Sequence, residues 1–137
     1  MKVKGHCLCE KVEFSISVES KRFDACHCSM CLRWGGGPAL TVEAENGVDF
    51  ADEAFVKVYS SSQWAERGFC SHCGTHLFYR LKEGNFWNVP LGVLEDRNSF
   101  EFSTQIFVDH KLGNYDFANK TKMMTEEDVL KAFGAET

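Results

Sequence analysis

The chain has 137 residues, 44% of them hydrophobic, with 12 Phe, 3 Trp and 3 Tyr and a formal net charge of −5. A chain of this length can fold as one domain that buries roughly 70% of the surface its unfolded form exposes, and its apolar content excludes intrinsic disorder. The acidic balance, with basic residues scattered rather than gathered on one stretch, argues against a nucleic-acid partner, whose phosphates would repel it.

The start, Met1-Lys2-Val3-Lys4-Gly5, has no apolar run like that of a secretory signal, and no segment approaches the ~20 apolar residues of a membrane span. A soluble, cytoplasmic protein without a membrane partner is expected. The clearest strand spans residues 12–18, where Val12, Phe14, Ile16 and Val18 alternate with Glu13, Ser15 and Ser17. Weaker strand signals follow at residues 39–44, 54–59, 75–81, 86–91 and 100–108, separated by Gly, Asn and Asp. Most of the links are too short for helical crossovers, so antiparallel pairing is expected. Near the end, Thr125 can cap a helix that begins Glu126-Glu127-Asp128, carries Val129, Leu130 and Phe133 on one side and stops at Gly134. The last three residues are expected to fray. No repeat, low-complexity tract or Pro-rich linker divides the chain, so residues 1–137 read as a single domain.

The seven cysteines fall into three clusters: Cys7 and Cys9, then Cys26, Cys28 and Cys31, then Cys70 and Cys73. An odd number cannot pair completely as disulfides, and a reducing cytosol disfavours such bonds, so metal ligation or thiol chemistry is the better reading. In C-x-C on a strand the two side chains share a face, and a C-x-x-C turn brings both sulfurs round one metal. Two pairs make a tetrahedral four-cysteine site. Pairing Cys7 and Cys9 with Cys70 and Cys73 leaves Cys26, Cys28 and Cys31 with room for water or a substrate atom, which is how catalytic zinc is held. Spacing alone does not fix that partition, and an imidazole from His27, His72 or His76 could close the second site.

Three stretches carry a resemblance: Gly5-His6-Cys7-Leu8-Cys9, Cys26-His27-Cys28-Ser29-Met30-Cys31-Leu32-Arg33, and Arg67-Gly68-Phe69-Cys70-Ser71-His72-Cys73-Gly74-Thr75-His76-Leu77-Phe78. In order and content they resemble the glutathione-dependent formaldehyde-activating enzyme family, which also includes centromere protein V, and Ile106-Phe107-Val108 followed by Lys111 fits the same pattern. The resemblance implies a mainly β chain, a β-tent of antiparallel sheets pinned at two zinc sites. It implies a structural zinc at Cys7, Cys9, Cys70 and Cys73 and a second zinc at a catalytic centre of Cys26, Cys28 and Cys31, where three ligands leave the ion open to being labile. The implied activity is that of a carbon-sulfur lyase joining formaldehyde to the thiol of glutathione. Two positions depart from the pattern: Glu10 stands where the family usually has glycine, and Lys111-Leu112-Gly113-Asn114-Tyr115 lacks the tryptophan commonly found after the lysine.

Arg33 and Arg67 each lie beside a cysteine cluster, where a guanidinium could take a carboxylate of glutathione in a bidentate pair. Trp34 with Gly35-Gly36-Gly37 reads as a loop over the open site or a flexible turn. His27 should face away from its neighbouring cysteines if the segment is extended, as a donor behind the ligands or a proton carrier. Glu10, Glu66 and Asp24 are conceivable bases that spacing does not separate. A zinc-containing methionine sulfoxide reductase would need a redox cysteine late in the chain, and none follows Cys73. The alternative to an enzyme is a non-catalytic zinc-binding module for protein interaction, and the fourth position at Cys26, Cys28 and Cys31 discriminates the two.

Overall fold

The computed structural model describes residues 1–133, so the helix stop assigned to Gly134 and the fraying of the last three residues lie outside the described residues. Ten strands are found among them: β1 (Lys2–His6), β2 (Glu13–Ser17), β3 (Arg22–Cys26), β4 (Ala39–Phe50), β5 (Val56–Ser60), β6 (Ala65–Cys70), β7 (His76–Leu81), β8 (Trp87–Pro90), β9 (Glu101–Ile106) and β10 (Lys122–Met124). Two α-helices, α1 (Ser29–Gly35) and α2 (Glu126–Phe133), join them. The mainly β class and the short C-terminal helix are those expected from the sequence. No helix of the described residues is long and apolar enough to cross a membrane.

The chain forms two compact units, each built from two separate segments. The first comprises Met1–Lys21 and Val42–Phe100. Here β1 pairs antiparallel with β2, and β2 with β4. The meander β5 to β8 is antiparallel throughout, with β8 beside β4. The alternation read at residues 12–18 buries Val12, Phe14, Ile16 and Val18, and Leu77, Val89 and Leu94 of the same unit are also removed from water. Each such side chain contributes about 1.5–3 kcal/mol. Gly68 belongs to this packing, because a Cβ there would lie 2.1 Å from the ring of Phe78 on the adjacent strand.

The second unit comprises Arg22–Thr41 and the chain from Glu101 on. β3 pairs antiparallel with the start of β4, Cys26 opposite Ala39, but parallel with β9, Cys26 opposite Ile106. β10 is also parallel to β9. These two pairings are exceptions to the antiparallel expectation, which the pairs β1–β2, β2–β4, β3–β4, β5–β6, β6–β7 and β7–β8 meet. Links between consecutive strands were the basis of that expectation, whereas the chain leaves β3 and returns as β9 only after building the first unit. Such a long return permits parallel pairing. The register of β3 on β9 slips between Phe23 and Asp24, leaving Ser103 as an extra residue. The slip brings Phe102 and Gln105 to the same side of the sheet, with Phe23 stacked on Phe102 at 4.9 Å between centroids.

Both helices start on a side-chain cap. At α2, Thr125 Oγ1 accepts from the Asp128 amide at 3.2 Å and Asp128 Oδ2 accepts from the Thr125 amide at 3.0 Å, a reciprocal box that satisfies two otherwise orphaned donors. At α1 the cap is Cys28, whose sulfur accepts from the Cys31 amide at 3.3 Å. Gly36, with φ of 83°, ends α1 by donating to the Leu32 carbonyl at 2.9 Å. The glycine run read as a loop or flexible turn is therefore a helix stop.

Candidate metal centres

Cys7 and Cys9 lie in the turn after β1, not on a strand as the C-x-C spacing suggested. The Glu10 amide donates to the Cys7 carbonyl at 3.1 Å, and Glu10 itself sits at φ of 65°. That left-handed conformation is strained for any residue with a Cβ, which explains why glycine suits the position. Cys70 ends β6, and the turn after it closes through the Gly74 amide donating to the Cys70 carbonyl at 2.8 Å, with Gly74 at φ of 81°. Thr75 joins the two turns: its Oγ1 accepts from the Leu8 amide at 3.1 Å and lies 3.1 Å from Cys73 Sγ.

The sulfurs of Cys7, Cys9, Cys70 and Cys73 all lie within 4.8 Å of one another. Cys7 and Cys9 sulfurs are 3.5 Å apart, and those of Cys9 and Cys70 3.8 Å. A tetrahedral metal with metal–sulfur bonds of ~2.3 Å requires sulfurs about 3.8 Å apart, so the donor set fits a zinc-sized ion. The Val12 amide donates to Cys7 Sγ at 3.4 Å. Burial pushes the Cys73 thiol up, but hydrogen bonds from the Thr75 side chain and backbone outweigh it and bring it down to about 5.

In the second unit, Cys26 ends β3, Cys28 caps α1 and Cys31 lies in its first turn. Their sulfurs also lie within 4.8 Å of one another, and among the described residues no imidazole or carboxylate joins the set. Hydrogen bonds with Cys26 and Cys31, then the Cys31 and Met30 amides, hold the Cys28 thiol far below its ordinary range. Cys26 moves strongly the other way, first through its hydrogen bonds to Cys28 and Cys31 and then through burial. Three converging sulfurs form a soft donor set that a zinc-like cation would satisfy.

The remaining candidates divide by environment. Arg33 is exposed in the last turn of α1. Arg67, on β6, is only 5% exposed, with its guanidinium 5.1 Å from the Tyr79 ring centroid. Burial lowers the neighbouring His76, and the charge of Arg67 lowers it further. Glu66 pairs with Arg80 across β6 and β7 at 3.5 Å, while Glu10 is exposed. Asp24, on β3, has a buried Oδ1 without a hydrogen-bond partner, and burial raises its carboxyl. His72 is exposed, its ring in a T-shaped contact with Phe55. His27 is fully buried, bonded to Gln105 and Tyr115 and absent from the sulfur set. Thr75, Gln105 and Tyr115 escaped sequence reasoning, because hydroxyl and amide side chains follow no metal-ligand spacing. A third group, Asp109, His110 and Glu126, is exposed and accounted for by the His110–Glu126 pair at 2.8 Å.

Known proteins resemble this chain in sequence and in fold. A family model described as glutathione-dependent formaldehyde-activating enzyme matches residues 2–110. A protein of Schizosaccharomyces pombe named an uncharacterized lyase is 32% identical over 130 residues, which are 94% of this chain and 95% of that protein. A Rhodobacter sphaeroides protein known from a crystal structure aligns with a TM-score of 0.58 at 24% identity, over 72% of this chain and 98% of that one, a likeness of fold alone.

Proposed function

The chain belongs to the glutathione-dependent formaldehyde-activating enzyme family, and on that premise we propose that it is a zinc-dependent carbon-sulfur lyase. Its substrates are a small thiol, glutathione first among them, and formaldehyde or a related carbonyl compound, or the adduct of the two. The observation that carries this reading is the inequality of the cysteine centres: four sulfurs converge in one and three in the other. Cys7, Cys9, Cys70 and Cys73 are assigned to a closed structural zinc, and Cys26, Cys28 and Cys31 to an open one. The family match runs through segments of both units, which supports treating them as one functional domain.

Bound at the open centre, zinc supplies a soft position for a thiol sulfur and keeps it deprotonated at neutral pH, where a free thiol of pKa about 8.5 is mostly protonated. In the reaction the thiol sulfur forms a bond to the carbonyl carbon, and the thiol proton ends on the former carbonyl oxygen. The chain's own residues hold and orient. The Cys31 amide stabilises the Cys28 sulfur at 3.3 Å, and the Cys26 end of β3 is anchored between β4 and β9. Arg33, in the last turn of α1 and in the unit that holds this centre, is the cation proposed for a carboxylate of glutathione, whereas Arg67 belongs to the first unit. Arg33 is the more accessible, since Arg67 is 5% exposed and lies against Tyr79.

Titrating zinc-loaded protein with glutathione should release protons, and the release should vanish in Cys28→Ser. Cobalt in place of zinc should report the same event as a change in the visible spectrum. A spectrum unmoved by thiols but altered by formaldehyde would replace thiol activation with carbonyl polarisation. Should neither ligand perturb a fully metallated centre, the protein-interaction module takes the place of the enzyme.

A further inference from the structure

His27 lies between Cys26 and Cys28 at 0% exposure, yet its ring takes no part in the sulfur cluster. A buried imidazole costs free energy unless both ring nitrogens are satisfied. A directed chain of hydrogen bonds satisfies them here. Gln105 Nε2 donates to Thr121 Oγ1 at 3.2 Å, which turns Gln105 Oε1 toward His27. That oxygen accepts from His27 Nε2 at 2.8 Å. The proton of the neutral ring is thereby assigned to Nε2, and Nδ1 becomes the acceptor for the Tyr115 hydroxyl at 3.4 Å. The His27 backbone is held as well, its amide donating to the Ile106 carbonyl at 3.0 Å.

The partner on the far side is itself fixed. The Lys111 ammonium donates to the Leu112 carbonyl at 2.7 Å and to the Tyr115 carbonyl, and pairs with Asp116 at 3.0 Å. It also lies 4.9 Å from the centroid of the Tyr115 ring. Phe117 completes the enclosure, 6.0 Å from the His27 ring and 5.7 Å from that of Tyr115 between centroids. Two stretches of the second unit thus meet the His27 side chain, β9 through Gln105 and the segment around residues 111–117 through Tyr115 and Phe117, and Thr121 holds Gln105 from behind.

We infer that His27, held by Gln105 and Tyr115, is a positioning residue for the three-cysteine centre. In an extended Cys-His-Cys segment the two cysteines share the face opposite the histidine, so a ring locked on one side fixes where both sulfurs point on the other. Rotation of either peptide flanking His27 would part the sulfurs. The inference rests on the reading that Cys26, Cys28 and Cys31 hold a metal, and it names the residues that set the affinity there.

The test uses the full chain loaded with cobalt, whose affinity at each centre is read by competition with a chromophoric chelator and whose visible bands report ligand geometry. Tyr115→Phe keeps the ring and removes one donor. Loss of one neutral hydrogen bond should weaken cobalt at the three-cysteine centre about fivefold. His27→Phe removes both ring contacts and should weaken it by about 10–100-fold with altered bands, as loss of the groups behind metal ligands does elsewhere. His27→Gln, which can still donate and accept, should recover part of the loss. Cobalt at the four-cysteine centre should keep its affinity in every variant. Should His27→Phe fail to fold, Tyr115→Phe carries the test. Unchanged affinity and bands at the three-cysteine centre overturn the inference, and so does equal weakening of both centres, which would mark a general loss of structure. Wild-type protein that takes up cobalt only at the four-cysteine centre sinks the metal reading, and the positioning role falls with it. Wild-type protein with both centres filled and variants that match it sinks the positioning role alone.

Discussion

Cys28 carries two loads, since its sulfur caps α1 and is also one of three that converge. Serine separates them. A serine hydroxyl is among the best helix caps, so Cys28→Ser should keep the start of α1, but it is a poor substitute for a thiolate toward a soft metal. The expected outcome is a folded protein with an unchanged far-ultraviolet spectrum and about one zinc fewer per chain, measured by elemental analysis. A variant that retained every metal ion would show that Cys28 is not a ligand. The cysteines were legible at this scale because their spacing is their chemistry. Gln105 and Tyr115 were not, because what they do depends on a register slip at Ser103 and on a loop clamped by Lys111. Glu10 lies between these cases: its departure from the usual glycine was visible, but only the φ of 65° gives the reason a glycine suits the place.

At the level of elements, β2 could be read because its alternation is unbroken, with Phe14 and Ile16 buried between Glu13, Ser15 and Ser17. β6 could not. Its burial follows no period of two, and the pairing with β7 slips between Gly68 and Phe69. α1 was missed because it is only seven residues long, lacks acidic residues in its first turn and is capped by a cysteine. α2 was legible from Thr125 as its cap, the acidic turn Glu126-Glu127-Asp128 and the apolar Val129, Leu130 and Phe133, and the structure adds the return bond from Asp128 to the Thr125 amide. Gly68 supplies the prediction at this scale: a methyl group there would stand 2.1 Å from the Phe78 ring, and Phe78 is 4% exposed with little room to retreat. Overpacking of this kind costs about 1–3 kcal/mol, which urea denaturation of the zinc-loaded protein should show for Gly68→Ala. Gly113→Ala, where a Cβ meets nothing within 4 Å, is the control. Matching urea midpoints for Gly68→Ala and wild type would mean that β6 and β7 adjust freely there.

Over the whole chain, each compact unit holds one cysteine centre, and each is assembled from segments distant in sequence. The grouping of cysteines was legible, but their partition depended on which turns meet, and spacing carries no such information. In the first unit the four-cysteine centre joins the turn after β1 to the turn after β6, with Cys7 and Cys70 both at 0% exposure. A structural zinc of this kind is worth about 10–16 kcal/mol, comparable with the ~5–15 kcal/mol net stability of a typical domain. Losing one of its ligands should therefore remove most of that margin. Cys70→Ser is expected to be insoluble or to melt far below wild type, and strong chelation should bring wild type to the same state. Because the metal needs deprotonated thiolates, protons compete with it, so the stability it confers should fall as pH is lowered and metal is released together with the loss of structure. Thermal melts followed alongside zinc release across an acid series would check this. The contrast with Cys28→Ser gives the result its meaning: one cluster should govern folding and the other only metal content. A soluble Cys70→Ser protein with an unchanged melting temperature would remove Cys7, Cys9, Cys70 and Cys73 from the structural role.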